Sequence, residues 1–405
     1  MLPPRVGVER FRKLMKEKGV DVLLASSPQN AYYASGYRPW GPDFGPVLVA
    51  IPVDTTLAPT MTLSGFLENR AREISVIEDV RPYRPWMPII HVDELIRGTV
   101  KAAPKPEKHV AIRKAIEIIG ESLREKGLQD SVIAIEKGLL NDREAYSELL
   151  NVFPRAKFVE ADNIFFDLRK IKTPEEIKAL HMAADLTVQG IRAVFDDRVE
   201  GTTIGELDLR YKRGVMQAAT ADSAMWLEGL RFMIASGDYF RCQQNQDFRV
   251  SKGDIIWVDC GLVVFGYTSD IGRTLSVGPP GELQKKVFGV LKTAYEEGLA
   301  LVKPGVKLKE VHKKIHEVMH KNGFGWYARG HCGHSTGIGP GKQEEPPFIS
   351  AEEESVFEPN MVMCVECGFY VIGRFGAFQI EEMLCVTQDG YELMTEKLPR
   401  DMVEV

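Results

Sequence analysis

Residues 254–277 read DIIWVDCGLVVFGYTSDIGRTLSV. Two apolar, β-rich runs, 254–261 and 266–277, each carry one aspartate, Asp259 and Asp270. A carboxylate is costly to bury in such surroundings unless it is paired or bound to a cation. Folded as a hairpin that turns near Val264–Phe265, the runs set Asp259 and Asp270 almost opposite each other on one face. Two facing carboxylates repel, and a divalent cation removes that repulsion.

The device recurs further along the chain. MVMCVECGFYVI (361–372) carries Glu366 and AFQIEEMLCVT (377–387) carries Glu381, and a turn centred near Gly373–Arg374 sets these two nearly opposite. Between the two hairpins lies GHCGHSTGIG (330–339), where glycines let the backbone approach closely and His334 can reach inward. Four carboxylates and one imidazole suit hard-to-borderline divalent ions: Mn, Co, Fe or Zn. The expected centre holds two such ions about 3.5–4 Å apart, bridged by carboxylates, and activates water near neutral pH.

Outward from these strands, the chain divides in two. Its 405 residues exceed one ordinary core. In the first part, apolar strands at 20–27, 47–53, 109–114 and 131–137 alternate with helices at 8–19, 65–74, 91–102 and 115–126, the pattern of an α/β domain over 1–160. The segment 27–46, rich in Pro, Gly and aromatics, reads as a loop. Thr173, Pro174 and Glu176 form a capping-box pattern that opens a long helix and the second domain, 165–405. There, a helix at 204–219, helices at 281–302 and 307–322, and the two strand sets read as α+β, with helices packed on one face of a curved antiparallel sheet. A net charge of −6 gives no general attraction to nucleic acid or acidic lipid. No apolar run reaches the roughly 18 residues of a membrane span. The six cysteines all fall at or after Cys242, without the density of a disulfide framework. A cytoplasmic protein is expected, with no nucleic-acid and no membrane partner.

Asp259, the YTSDIGRT around Asp270, the Gly-His at 333–334, the Val-Glu at 365–366 and the Ile-Glu-Glu at 380–382 resemble the pita-bread metallohydrolases, family M24. These include prolidase, aminopeptidase P, methionine aminopeptidase and creatinase. SPQNAYYASGY and LRKIKTPEEI add a weaker likeness in the first domain, which points to the prolidase, aminopeptidase P and creatinase branch. The resemblance implies a pita-bread catalytic domain behind a smaller creatinase-like domain. It further implies that Asp270 and Glu381 bridge both metals, that Asp259 completes one shell and that His334 and Glu366 complete the other. Glu366 would also shuttle the proton of the attacking water. A homodimer is implied too, with the 30–45 loop, Trp40 included, closing the partner's pocket.

The pattern breaks around the substrate. Where the family's peptidases carry a histidine before the first metal aspartate, this chain has Cys242. A second histidine position is filled by Gln343 or Glu344, and an arginine two before the last glutamate is replaced by Gln379. His331 is placed to substitute in part for the missing histidines, so Cys242, Gln343 and Trp40 are candidate substrate contacts, and Glu366 and His331 candidate catalytic groups. Trp226, Tyr239, Phe240, Trp326 and Tyr327 flank these segments as pocket or core. Hydrolysis of an Xaa-Pro dipeptide or similar short peptide is expected. The alternatives are a small-molecule amide or amidine hydrolase like creatinase, a dimethylsulfoniopropionate-type lyase, or a binding protein on this fold without activity. His316-Glu317-Val318-Met319-His320 is a formal zincin motif, but its histidines lie beside the apolar stripe among lysines and read as a solvated helix face. Cys364 and Cys367 lie three apart in a strand and so point to opposite faces.

Overall fold

The computed structural model describes residues 6–38, 45–84, 90, 92–100, 112–195, 198–224, 227–236, 246–339, 344–371 and 375–405. Residues 4–168 and 169–405 form two compact units.

The first unit contains α1 (Val8–Lys18), β1 (Val22–Ala25), α2 (Pro28–Ser35), β2 (Leu48–Pro52), β3 (Thr60–Ser64), α3 (Glu68–Ile74), β4 (Asp79–Tyr83), α4 (Val92–Arg97), α5 (Ile112–Glu125), β5 (Val132–Ile135), α6 (Lys137–Asn141), α7 (Arg143–Val152), β6 (Lys157–Glu160) and α8 (Asp162–Arg169), which runs to its boundary. The strands form one mixed sheet in the order β4-β3-β2-β1-β5-β6. Two readings of the sequence change here. Of the expected strand at 109–114, residues 109–111 lie outside the described residues, and 112–114 open helix α5. Ile112, Ala115, Ile116 and Ile119 follow helical spacing, and the last three are buried in this unit's core. The segment 27–46 is not simply a loop either, because α2 lies within it. The Ser27 hydroxyl accepts the Asn30 N–H at 3.2 Å, Pro28 opens the first turn and Gly36 (φ 68°) closes the helix.

The second unit contains α9 (Pro174–Phe195), α10 (Ile204–Ala218), α11 (Ala221–Ala224), β7 (Leu227–Ser236), β8 (Ile255–Val264), β9 (Tyr267–Thr268), β10 (Ile271–Ser276), α12 (Glu282–Leu299), α13 (Leu308–Lys321), β11 (His331–Ser335), β12 (Glu345–Ser350), β13 (Val362–Val371), β14 (Gly376–Val386), β15 (Tyr391–Leu393) and β16 (Val403–Glu404). Its sheet runs β12-β11-β13-β14-β10-β8-β7, antiparallel at every step, with β9, β15 and β16 attached at its sides. The capping box of α9 forms as the sequence requires. Thr173 Oγ1 accepts the Glu176 N–H at 3.2 Å, and Glu176 Oε2 accepts the Thr173 N–H at 2.8 Å.

Alternation along each strand separates two faces. On β13, Met363, Val365, Cys367 and Phe369 join the apolar core built with α12 and α13, while Cys364 and Glu366 point the other way. Each large apolar side chain buried in that core contributes about 1.5–3 kcal/mol. On the other half, α9 packs against β8, and Tyr211 of α10 stacks on Phe232 and donates to the Gly261 carbonyl at 3.0 Å. The helices therefore cover one face, and the opposite face is left to the polar residues. The adjacent pair Glu381–Glu382 shows the rule. Glu382 accepts hydrogen bonds from Arg273 and Arg400 (2.7 Å each) and from the Tyr295 hydroxyl (3.1 Å), while Glu381 lies on the other side of the strand.

Candidate metal centre

Four neighbouring strands place a row of residues across the uncovered face. Asp259 on β8 is level with Gly272 on β10, Gly272 with Glu381 on β14, and Glu381 with Glu366 on β13. The β13–β14 pair is as the sequence predicts, with Glu366 and Glu381 directly opposed; its turn, 372–374, lies outside the described residues. The first pair differs. Val264 pairs with Tyr267, so the turn falls on Phe265 and Gly266, both at positive φ (52° and 82°). That moves the register by two residues from the expected one. Asp259 therefore faces Gly272 rather than Asp270, and Asp270 falls level with Gly261. A two-residue shift keeps every side chain on its face, so the two aspartates still converge. His334, on β11, pairs with Cys364, two residues before Glu366.

Ligand atoms of Asp259, Asp270 and Glu381 lie within 4.8 Å of one another, as do those of His334, Cys364 and Glu381. His334 Nε2 stands 3.8 Å from Asp270 Oδ2 and 3.7 Å from Glu381 Oε1. Burial pushes the carboxyls of Asp270 and Glu381 well above the ordinary carboxylate range. The charge of Glu381 adds to this at Asp270, and the charges of Glu366 and Asp259 add to it at Glu381. Buried carboxylates under mutual repulsion are the condition that a divalent cation relieves, and the oxygen–imidazole donor set fits one. Burial likewise pushes the Cys364 thiol well up, so it stays protonated against the Asp270 carbonyl, 3.8 Å away.

Cations of the protein itself also enter the site. Arg231 on β7 donates to Asp259 Oδ1 and to Asp270 Oδ1. Arg329 donates to Glu366 Oε2. Arg329 is fixed by three further contacts: its Nε donates to the His331 carbonyl at 2.9 Å, its Nη1 reaches the Tyr370 hydroxyl at 3.2 Å, and it lies over the Tyr370 ring. Gln379 spans the two glutamates, its amide donating to Glu381 Oε2 at 2.7 Å and lying 3.4 Å from Glu366 Oε2. Its carbonyl accepts the Trp257 indole N–H and, at 2.9 Å, the Tyr370 hydroxyl. His331 Nδ1 stands 3.2 Å from Glu366 Oε1, and burial lowers its pKa, which keeps the ring neutral.

Cys242, Gln343 and Trp40 lie outside the described residues, as do Trp226, Tyr239 and Phe240. Glu344 is exposed. Tyr327 belongs to the core, its hydroxyl donating to the Gly368 carbonyl at 3.1 Å, whereas Trp326 is exposed. Sequence reading missed Arg231, Arg329, Trp257 and Tyr370. A signal existed for Arg231, since it is the one charge in the apolar run LRFMIAS (230–236), as Asp259 is in WVDCG.

The expected solvated face of the His316–His320 helix is corrected as well. His312, His316 and His320 recur every fourth residue of α13 and grip the backbone of 327–329. The Arg329 carbonyl meets His312 Nε2 at 2.9 Å, the Arg329 N–H donates to His316 Nε2 at 3.0 Å, and the Tyr327 carbonyl meets His320 Nε2 at 2.8 Å. Both nitrogens of His316 are used, the second on the His312 carbonyl at 2.9 Å. Ligand atoms of His312, His316 and Cys332 lie within 4.8 Å of one another, but both His316 nitrogens are taken by backbone groups, so these histidines hold the segment that carries Arg329; of the three histidines only His320 is exposed. His316→Ala is expected to leave metal content unchanged and to lower stability by about 1–2 kcal/mol, measured by denaturant unfolding. A loss of metal from that variant would instead favour the zincin reading.

A family model described as metallopeptidase family M24 matches residues 178–388, and one described as the creatinase/prolidase N-terminal domain matches residues 8–171. The chain is 26% identical to an Xaa-Pro dipeptidase of Pyrococcus furiosus, over 96% of this chain and 97% of that protein. It is 31% identical to an uncharacterized peptidase of Bacillus subtilis, over 98% and 99%. Among solved structures, the prolidase from Thermococcus sibiricus superposes with a TM-score of 0.78 at 21% identity, covering 98% of each chain.

Proposed function

The chain belongs to metallopeptidase family M24, and from that premise we propose that it hydrolyses short peptides as an Xaa-Pro dipeptidase. It is a divalent-metal-dependent hydrolase with the pita-bread fold in its second unit and the creatinase-like fold in its first. The observation that carries the reading is the row Asp259–Gly272–Glu381–Glu366, closed by Asp270 and His334. We assign these five acidic and imidazole side chains to the metal, Mn, Co, Fe or Zn. In the two-ion arrangement that the family resemblance implies, Asp270 and Glu381 would be the side chains shared between the ions.

The metal, when bound, supplies electrophilic activation of water and of the scissile carbonyl. The rest falls to the chain. Glu366 accepts the proton of the attacking water and passes it to the departing amine. Arg329 and Gln379 hold Glu366 Oε2, which leaves Oε1 to take the proton. His331, neutral and beside Oε1, donates an N–H to the carbonyl oxygen in place of the family's missing histidines. Asp259 and Asp270 are held on the face by Arg231. Assembly as a homodimer and residence in the cytoplasm accompany this reading.

The test is to load metal-free protein separately with Mn, Co, Fe and Zn. Each form is then assayed on Xaa-Pro dipeptides, on dipeptides without proline, and on small amide, amidine and sulfonium compounds. Metal-dependent cleavage confined to proline peptides is the expected result. Turnover of a small molecule with no peptide cleaved would overturn the peptidase assignment.

A further inference from the structure

We propose that Arg231 takes the place of one of the two metal ions, so that the centre is complete with a single divalent cation on its His334–Glu381 side. The inference deepens the metal assignment above and rests on it.

Arg231 stands on β7 level with Gly261. Gly261 is what opens this lane: a Cβ there would lie 3.0 Å from Arg231 Nη2 and 2.2 Å from the Ser269 carbonyl oxygen. The guanidinium crosses it and donates one N–H to each aspartate, Nη1 to Asp259 and Nη2 to Asp270. This is the fork geometry for which arginine is suited and lysine is not. It joins the same two carboxylates that an ion on this side would join. Among the described residues, its guanidinium hydrogen-bonds to Asp259 and Asp270 alone, with a weak contact to the Asp259 carbonyl at 3.4 Å. Arg329, by contrast, is anchored on Tyr370 and the His331 carbonyl and lies against Glu366 from one side.

Asp270 divides its oxygens between the two sides of the site. Oδ1 faces the Arg231 guanidinium and Oδ2 faces the His334 imidazole. His334 Nε2 is 3.8 Å from Asp270 Oδ2 and 3.7 Å from Glu381 Oε1. Ligands around a single ion with bonds of about 2.1 Å sit roughly 3–3.5 Å apart, so this corner needs little movement to close on one ion. Charge leads to the same count. Asp259, Asp270, Glu366 and Glu381 carry four formal negative charges, and Arg231 and Arg329 return two positive ones. One divalent ion brings the site to neutrality. A second would leave it doubly positive, with an ion pressed against the Arg231 guanidinium in a site where Asp270 and Glu381 are buried.

The experiment is equilibrium dialysis of the metal-free full-length protein against Co²⁺ and against Mn²⁺, with the bound metal measured by elemental analysis. Wild type is compared with Arg231→Met and Arg231→Lys, and circular dichroism reports their fold. Wild type is expected to saturate at one ion per chain and to take no second ion at roughly 100 times the concentration that fills the first. Arg231→Met is expected to saturate at two. Arg231→Lys, which keeps the charge without the fork, is expected to admit the second ion more weakly than Arg231→Met does. Saturation of wild type at two ions of similar affinity overturns the inference and leaves the metal assignment standing. So does a folded Arg231→Met protein that still stops at one. If wild type and both variants bind none, the metal assignment fails and the inference with it. Should Arg231→Met not fold, the stoichiometry of wild type and of Arg231→Lys still decides.

Discussion

Asp270→Asn empties the centre of metal and reduces peptide hydrolysis by at least about 10³-fold, since removal of even an outer partner of a metal ligand costs 10–100-fold. Asp270 is the point where the two sides of the site meet, one oxygen toward Arg231 and the other toward His334. Asparagine preserves its shape and one of its acceptors but removes the charge that both cations need. The expected effect on the fold is opposite in sign. Burial and the charge of Glu381 disfavour the ionised Asp270, so metal-free Asp270→Asn protein should be at least as stable as metal-free wild type. Metal should then raise the melting temperature of wild type and leave that of the variant unchanged. Thermal unfolding with and without Mn²⁺, beside metal analysis, reads both effects. A variant that keeps its metal and its activity would remove Asp270 from the centre. A variant that loses its fold would mean that Asp270 serves chiefly to pair Arg231.

Glu366→Gln, assayed at saturating metal because a ligand's charge is lost with it, should lower kcat by about 10²–10⁴-fold while the protein stays folded. Glutamine fits the same space on β13, opposite Glu381, and its carbonyl can still accept from Arg329 and Gln379. What it cannot do is take a proton from water. The loss should therefore appear in kcat more than in KM. Steady-state kinetics on an Xaa-Pro dipeptide across pH, with metal content measured in parallel, separates this from a ligand defect. Activity within tenfold of wild type would show that the proton goes elsewhere, with His331, 3.2 Å away, the first candidate.

Two of the departures from the expected pattern concern what surrounds the ligands. Gln379 stands where the resemblance implies an arginine, and its setting explains how glutamine serves. Trp257 and Tyr370 fix its carbonyl, which turns its amide toward Glu381 and Glu366. Gly272 makes room for it, since a Cβ there would lie 3.0 Å from the Gln379 amide carbon. The histidines of α13 show the opposite case. A motif-shaped spacing resembled a metal site, yet their nitrogens hold the backbone of 327–329 and through it Arg329. Spacing along a helix fixes which face a residue shares with its neighbours, and not what that face packs against.

The chain alone determined which residues lie on which side of each strand. Alternation has a period of two and is written into every few residues, so Glu366 and Glu381, or Asp259 and Asp270, could be assigned to one face even where the register was wrong by two. Tertiary structure alone decided who stands beside them. Arg231 is 28 residues from Asp259 and 39 from Asp270. It meets both only because β7 pairs with β8 at one register and Gly261 leaves the way open. Pairing between strands is set by the packing of the whole sheet, and no local pattern encodes it.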